Sequence, residues 1–149
     1  MRWSNVPIPE PHIAAIAAAA ALHFVLPLRL PVGRRAGRLV GGPMMAGGIG
    51  LAAWAVASAE ETDVEQDEAL VTEGAYALTR NPMYVGWSLA VLGLGLAAPS
   101  AWLVATGLLA MTALDREVDA EEARLLRRFG PEYTAYRDRV PRYVLSDSR

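Results

Sequence analysis

The chain contains no cysteine and no lysine. Without cysteine there is no disulfide, no thiol nucleophile and no thiolate-ligated metal. All 14 basic residues are arginine, and the two histidines, His12 and His23, stand apart from each other. No HExxH, Ser-His-Asp set or phosphate-binding glycine loop is present, which removes the common zinc, acyl-transfer and nucleotide chemistries. Charge is also scarce. Charged residues make up 20%, below the roughly 25% usual in soluble domains. The net charge of −2 provides no basic field, so nucleic acid is not expected as a partner. What remains is apolar: 53% of the 149 residues are hydrophobic. That content excludes disorder and points towards lipid. The length suits a single domain over 1–149.

Three stretches carry no charge: Ile13–Leu28 with 16 residues, Leu39–Ala59 with 21, and Met83–Leu114 with 32. A spanning helix needs about 20 apolar residues, with about 17 as a lower limit. The second stretch qualifies alone, and the first is short and alanine-rich. A signal peptide is a poorer reading of the first stretch, because VPIPEPH makes a weak basic leader and no cleavage site follows. The third stretch is too long for one pass and is interrupted at Ala98-Pro99-Ser100. It reads as a helical hairpin, Met83–Ala97 and Ala101–Leu114. Gly41, Gly42, Gly47, Gly48 and Gly50 suit close packing of the second helix on a neighbour. The expected fold is therefore all-α and polytopic, with about four transmembrane helices including a C-terminal hairpin. Two spans fall in 1–59, and the loop, hairpin and polar cap fall in 60–149.

Four spans place the N-terminus, the 60–82 segment and the C-terminal tail on one side. The Arg29–Arg38 loop and the Pro99 turn then lie on the other. Arg2, Arg80, Arg116, Arg124, Arg127 and Arg128 outnumber Arg29, Arg34, Arg35 and Arg38. This majority favours the first side as cytoplasmic, giving a multi-pass inner-membrane protein with its cap inside the cell.

Two polar segments remain. The first opens with the acidic run EETDVEQDE at 60–68, which reads as a solvated loop. Thr72-Glu73-Gly74 is turn chemistry, and Pro82 fits the first turn of a helix. Arg80 and Asn81 then stand at a helix N-terminus, where unpaired backbone N–H groups suit an anion. The second polar segment reads as a helix from Asp115 to about Arg128, stopped by Gly130-Pro131, then a short helix Glu132–Arg139 ended by Pro141. Tyr133 and Tyr136 share one side of that short helix. By spacing alone Glu121 and Glu122 form an exposed helix face. Tyr76, Tyr84, Tyr133 and Tyr136 form an aromatic belt. His23 sits in an apolar helix, where a hydrogen bond to a neighbour is expected rather than a metal.

The runs LVTEGAYALTRNPMYVGW at 70–87 and EEARLLRRFGPEYTAYRDRVPR at 121–142, with an apolar hairpin between them, carry a resemblance. So does PIPEP before the first span. The chain resembles the membrane methyltransferases related to isoprenylcysteine carboxyl methyltransferase and to bacterial phospholipid methyltransferases. The resemblance implies methyl transfer from S-adenosylmethionine at the membrane to a lipophilic or small acceptor, with membrane lipid as surroundings and no metal. It implies that Glu68, Ala69, Leu70 and Val71 line the cofactor, largely through backbone. Tyr76 matches a cofactor contact, and Asn81-Pro82-Met83-Tyr84 matches the family's HP-x-Y stretch. Asn81 stands where eukaryotic relatives have histidine, so any acid–base role of that histidine is lost. Glu121 matches the acidic cofactor contact of the EE motif. Arg116 is the nearest match to a substrate-touching arginine, displaced by one residue. Arg80 or Arg116 would orient an anionic acceptor. Two other readings remain open: an NADPH-dependent membrane reductase of the sterol-reductase type, and a non-enzymatic membrane scaffold. The acidic 60–68 run is a poor setting for the NADPH 2′-phosphate, which calls for a nearby arginine.

Overall fold

The computed structural model describes residues 10–61 and 69–144. In chain order these form α1 (Glu10–Val25), α2 (Arg34–Glu61), a 3-10 turn (Gly74–Ala77), α3 (Pro82–Ala97), α4 (Ala101–Phe129) and α5 (Pro131–Arg139). The described residues are all-helical apart from an isolated antiparallel bridge between Arg29 and Ser100.

The closest packing is between α2 and α3. A Cβ on Gly41 would meet the Gly93 carbonyl and the Ala97 amide, and one on Gly48 would meet the Gly86 carbonyl and the Ala90 amide. From the other side, a Cβ on Gly86 would meet Gly48 and Ala52. Small residues let two backbones approach until main-chain atoms touch, which gains dispersion contact along the full seam. The seam differs from the expected set. Gly37, Gly41 and Gly48 form it, whereas Gly42, Gly47 and Gly50 face open space. The 3.6-residue period explains this: 37, 41 and 48 share a face that 42, 47 and 50 do not.

The hairpin forms, but its second arm does not stop at Leu114. Helix α4 runs unbroken for 29 residues, from Ala101 to Phe129, and is capped by Ser100, whose side chain accepts from the Leu103 amide. Asp115 marks a change of polarity, not of conformation, and no proline or glycine interrupts the backbone there. The helix ends at Gly130, whose φ of +51° turns the chain into the left-handed region that glycine tolerates. Pro131 then opens α5 at its first position.

One end of the molecule is tied by the turns. Leu30 N–H donates to the Pro99 carbonyl at 3.1 Å, Ala101 N–H to the Leu28 carbonyl at 2.9 Å, and Trp102 Nε1 to the Leu26 carbonyl at 2.8 Å. The α1–α2 connection and the Pro99 turn therefore lie together. His23 departs from expectation: its Nδ1 is buried without a hydrogen-bond partner among the described residues, and its ring meets Phe24 edge-on.

Large apolar side chains face outward along the helices, among them Phe24 at 82% exposure, Leu39 at 75% and Leu109 at 70%. By length and composition one helix, Arg34–Ala59, is long and apolar enough to cross a membrane. Ile13–Val25 and Pro82–Ala97 are shorter apolar helices.

Candidate functional site

At the end of the molecule away from the Pro99 turn, the segment before α3 folds against the polar half of α4 and against α5. The backbone of 79–81 runs beside 140–142. Arg80 N–H donates to the Pro141 carbonyl at 2.9 Å, Thr79 Oγ1 to the Arg142 carbonyl at 2.6 Å, and Asn81 Nδ2 to the same carbonyl at 3.3 Å. Upstream, Gly74 takes φ +60°, and its missing Cβ leaves room for Ser58 of α2. Ser58 Oγ accepts from the Ala75 amide at 3.1 Å. This glycine lets the turn dock on α2 and presents Tyr76 inward.

These elements enclose a cavity of about 200 Å³. From the first segment Ala69, Leu70, Val71, Tyr76 and Arg80 line it, and the start of α3 contributes Asn81, Pro82, Met83 and Tyr84. Helix α4 adds Glu121, Glu122, Leu125 and Phe129, and α5 adds Tyr133 and Tyr136. Glu68 lies outside the described residues. Arg116 is exposed and does not line this cavity. The four tyrosines thus surround one cavity instead of forming a belt around the molecule.

Glu122, Leu125, Phe129, Tyr133 and Tyr136 were not expected in the site. Their signal was periodic: 122, 125 and 129 share a face of α4, and 133 and 136 share a face of α5. That face belongs to the cavity only once α5 folds back at Gly130.

The adjacent carboxylates differ in how far they are committed. Glu122 is tied at both oxygens: Oε1 accepts from Arg80 Nε at 3.1 Å, and Oε2 from Arg142 Nη2 at 2.8 Å. Glu121 receives the Tyr84 hydroxyl at a long 3.5 Å and pairs loosely with Arg124 at 3.7 Å. Glu122 is a structural hub, and Glu121 keeps acceptor capacity for a ligand. Arg80 spends Nε on Glu122 and Nη1 on the Arg137 and Val140 carbonyls at 2.9 and 2.8 Å. Its first task is to clasp α5 to the site.

The phenols stay protonated in neutral solution. Burial, aided by the charge of Glu121, raises the Tyr76 hydroxyl above its ordinary value. Burial pushes Tyr133 up to about 12, with Glu122 adding to the rise and Arg80, Arg137 and Arg142 opposing it. Tyr136 is raised too, mainly by burial, and its hydroxyl donates to the Tyr76 carbonyl at 2.8 Å. The start of α3 has no side-chain cap; Pro82 carries no amide hydrogen and the Asn81 amide donates to Thr79 Oγ1 at 3.3 Å, which leaves the Met83 and Tyr84 amides beside the cavity.

A second, apolar cleft of about 810 Å³ opens between α2, α3 and α4. Leu51, Leu89, Leu92, Leu108 and Met111 form much of its wall, and Asp115 and Tyr143, hydrogen-bonded to each other, mark its polar end. Tyr84 lines both spaces. Among the described residues no group of three or more His, Asp or Glu is placed to hold a metal ion.

Among the described residues these features define an all-helical protein in which a cavity with carboxylates, a guanidinium and tyrosines in its wall adjoins an apolar cleft. The chain belongs to the phospholipid methyltransferase family, whose profile matches residues 37–132. It is similar to the protein-S-isoprenylcysteine O-methyltransferase of Schizosaccharomyces pombe, at 35% identity over 79 residues. That match covers 51% of this chain and 33% of the relative. It is also similar to the cobalt-zinc-cadmium resistance protein CzcN of Cupriavidus metallidurans, at 36% identity over 78 residues, covering 52% of this chain and 36% of the relative. The chain therefore spans about a third of the length of these relatives. No solved structure matches it significantly.

Proposed function

We propose that the chain is a membrane methyltransferase that uses S-adenosylmethionine and acts on a lipophilic or small acceptor. The observation that supports this reading most is that two segments about 40 residues apart, 69–84 and 121–136, close one polar cavity that meets an apolar cleft at Tyr84. In this reading residues 1–149 form one integral-membrane domain. Its four apolar helical segments cross the bilayer, and the cavity faces the cytoplasm.

The residues present fit the cofactor. Glu121 has an under-used carboxylate for an ammonium or ribose hydroxyl. The rings of Tyr76 and Tyr84 can face a cation. The Met83 and Tyr84 amides and the Asn81 side chain suit polar groups of the ligand. When bound, the cofactor supplies an electrophilic methyl group on a sulfonium. The chain's own task is alignment, since the sulfur leaves as a neutral thioether and needs no proton. Tyr84, at the junction, sets the distance between the two spaces. The apolar cleft would admit a lipid acceptor sideways and keep water from the reacting atoms. Arg80 and Asn81 hold the segment that carries Tyr84, while Arg116 stands apart from the cavity.

Calorimetry on detergent-purified protein tests the reading. S-adenosylhomocysteine is expected to bind and NADPH is not. Glu121→Gln is expected to weaken S-adenosylhomocysteine by about 1.5–3 kcal/mol, the range for a hydrogen bond to a charged group. Binding of NADPH alone would replace this reading with a reductase, and binding of neither would leave a scaffold.

Topology is tested separately, helped by the absence of native cysteine. Gly33 has open space around its missing Cβ, and Glu132 is exposed on α5. In whole cells an impermeant thiol reagent is expected to label Gly33→Cys and to spare Glu132→Cys. The reverse pattern would place the cavity outside the cell, away from the cofactor supply.

A further inference from the structure

Buried polar atoms in folded proteins nearly always have a partner. Among the described residues, two buried side-chain atoms have none: His23 Nδ1 in α1 and the Tyr133 hydroxyl in α5. Tyr133 is 1% exposed, and it lines the polar cavity. Leaving such a hydroxyl without a partner forfeits its hydration with nothing in return. Its neighbour Tyr136, one turn away, solves the same problem by donating to the Tyr76 carbonyl at 2.8 Å. The two tyrosines look equivalent in sequence, yet one is satisfied by the fold and the other is not.

The surroundings of Tyr133 specify what would complete it. Arg80, Arg137, Arg142 and Glu122 all act on it electrostatically. Glu122 already accepts from Arg80 at one oxygen and from Arg142 at the other. Both Glu122 oxygens are therefore occupied, and Arg142 is committed on its other side to Asp119 at 2.6 Å. Arg80 uses Nε and Nη1 within the protein, and among the described residues its Nη2 has no hydrogen-bond partner. Tyr133 and Arg80 both line the cavity, and a protonated phenol together with a spare guanidinium nitrogen suits an anionic acceptor. Glu121, by contrast, suits a cation or a hydroxyl.

We propose that the Tyr133 hydroxyl is a cofactor-binding donor that, with Arg80 Nη2, holds the carboxylate of the cofactor's amino-acid end. The inference rests on the reading given under Proposed function and assigns these two groups to one part of the ligand. It separates Tyr133, which acts on the ligand, from Tyr136, which acts on the fold.

The test uses Tyr133→Phe and Tyr136→Phe in the full chain. The ligands are S-adenosylhomocysteine and 5′-methylthioadenosine, a nucleoside thioether that lacks the amino-acid end. Tyr133→Phe is expected to weaken S-adenosylhomocysteine about tenfold, as for a hydrogen bond to a charged group. Methylthioadenosine binding should stay within about twofold, and the melting temperature without ligand should hold or rise. Tyr136→Phe should lower the ligand-free melting temperature. Unchanged S-adenosylhomocysteine affinity in Tyr133→Phe would overturn the proposal, as when a buried water serves the hydroxyl. So would an equal loss for both ligands, or a fall in the ligand-free melting temperature. Wild-type protein that binds neither ligand would overturn the cofactor reading itself and this assignment with it.

Discussion

Replacing Arg80 with methionine is expected to destabilise the protein by about 3–5 kcal/mol, the cost of removing one partner from a buried ion pair. The side chains of Arg80 and Glu122 are 4% and 13% exposed and meet at 3.1 Å. The same guanidinium also satisfies the Arg137 and Val140 carbonyls at the end of α5. Loss of Arg80 thus strands a carboxylate and two carbonyls together. Arg142 still holds the other Glu122 oxygen at 2.8 Å, which favours the lower end of the range. The double variant Arg80→Met, Glu122→Leu is expected to recover part of the loss, because it removes the unpaired charge as well. Thermal unfolding in detergent measures both variants. A melting temperature for Arg80→Met equal to wild type would show that the pair contributes nothing. Glu121→Gln should leave the ligand-free melting temperature nearly unchanged, because its two contacts are long.

The second large effect lies in the helix seam. A Cβ at Gly93 would meet the Met45 amide, the Gly41 carbonyl and the Met45 Cα. These are main-chain atoms and cannot rotate aside. Gly93→Leu is therefore expected to cost about 3 kcal/mol or more, at or beyond the upper end of ordinary overpacking. Gly42→Leu provides the contrast, since nothing lies within 4 Å of its missing Cβ. Leucine also has the better helix propensity, by somewhat under about 1 kcal/mol, so this variant should be neutral or slightly more stable. Thermal unfolding in one detergent compares them. Equal melting temperatures for the two variants would mean that α2 and α3 are not held by this seam.

Local signals were enough to mark the helices. Pro82 and Gly130-Pro131 punctuate the chain where the residue types demand it. The Ala98-Pro99-Ser100 break became the turn of the hairpin. The polarity change at Asp115 suggests a boundary in the sequence, but hydropathy reports the surroundings of a helix and not its continuity. The glycines of α2 showed that a close contact existed. Which of them form it depended on helical phase relative to α3, and that is a tertiary fact. In the site, the residues singled out by resemblance between Ala69 and Tyr84, together with Glu121, line one cavity. The division of labour between Glu121 and Glu122 was not legible. It is set by Arg80 and Arg142, which are 42 and 20 residues from Glu122 in the chain. Tyr133 was hidden for the same reason, because a missing partner can only be seen once every neighbour is in place.

The unbroken α4 joins the Pro99 turn to the polar cavity as one stiff rod. Between Ala101 and Glu121 it has an arm of about 30 Å, so a tilt of about 2° at the turn carries the Glu121 backbone by about 1 Å. Productive site geometries tolerate displacements of only about 0.5 Å. In the proposed bilayer setting, a change of membrane thickness is taken up in part by the tilt of this rod. The lipid surroundings would then tune the spacing around Glu121 mechanically, at a carboxylate that no lipid tail needs to touch.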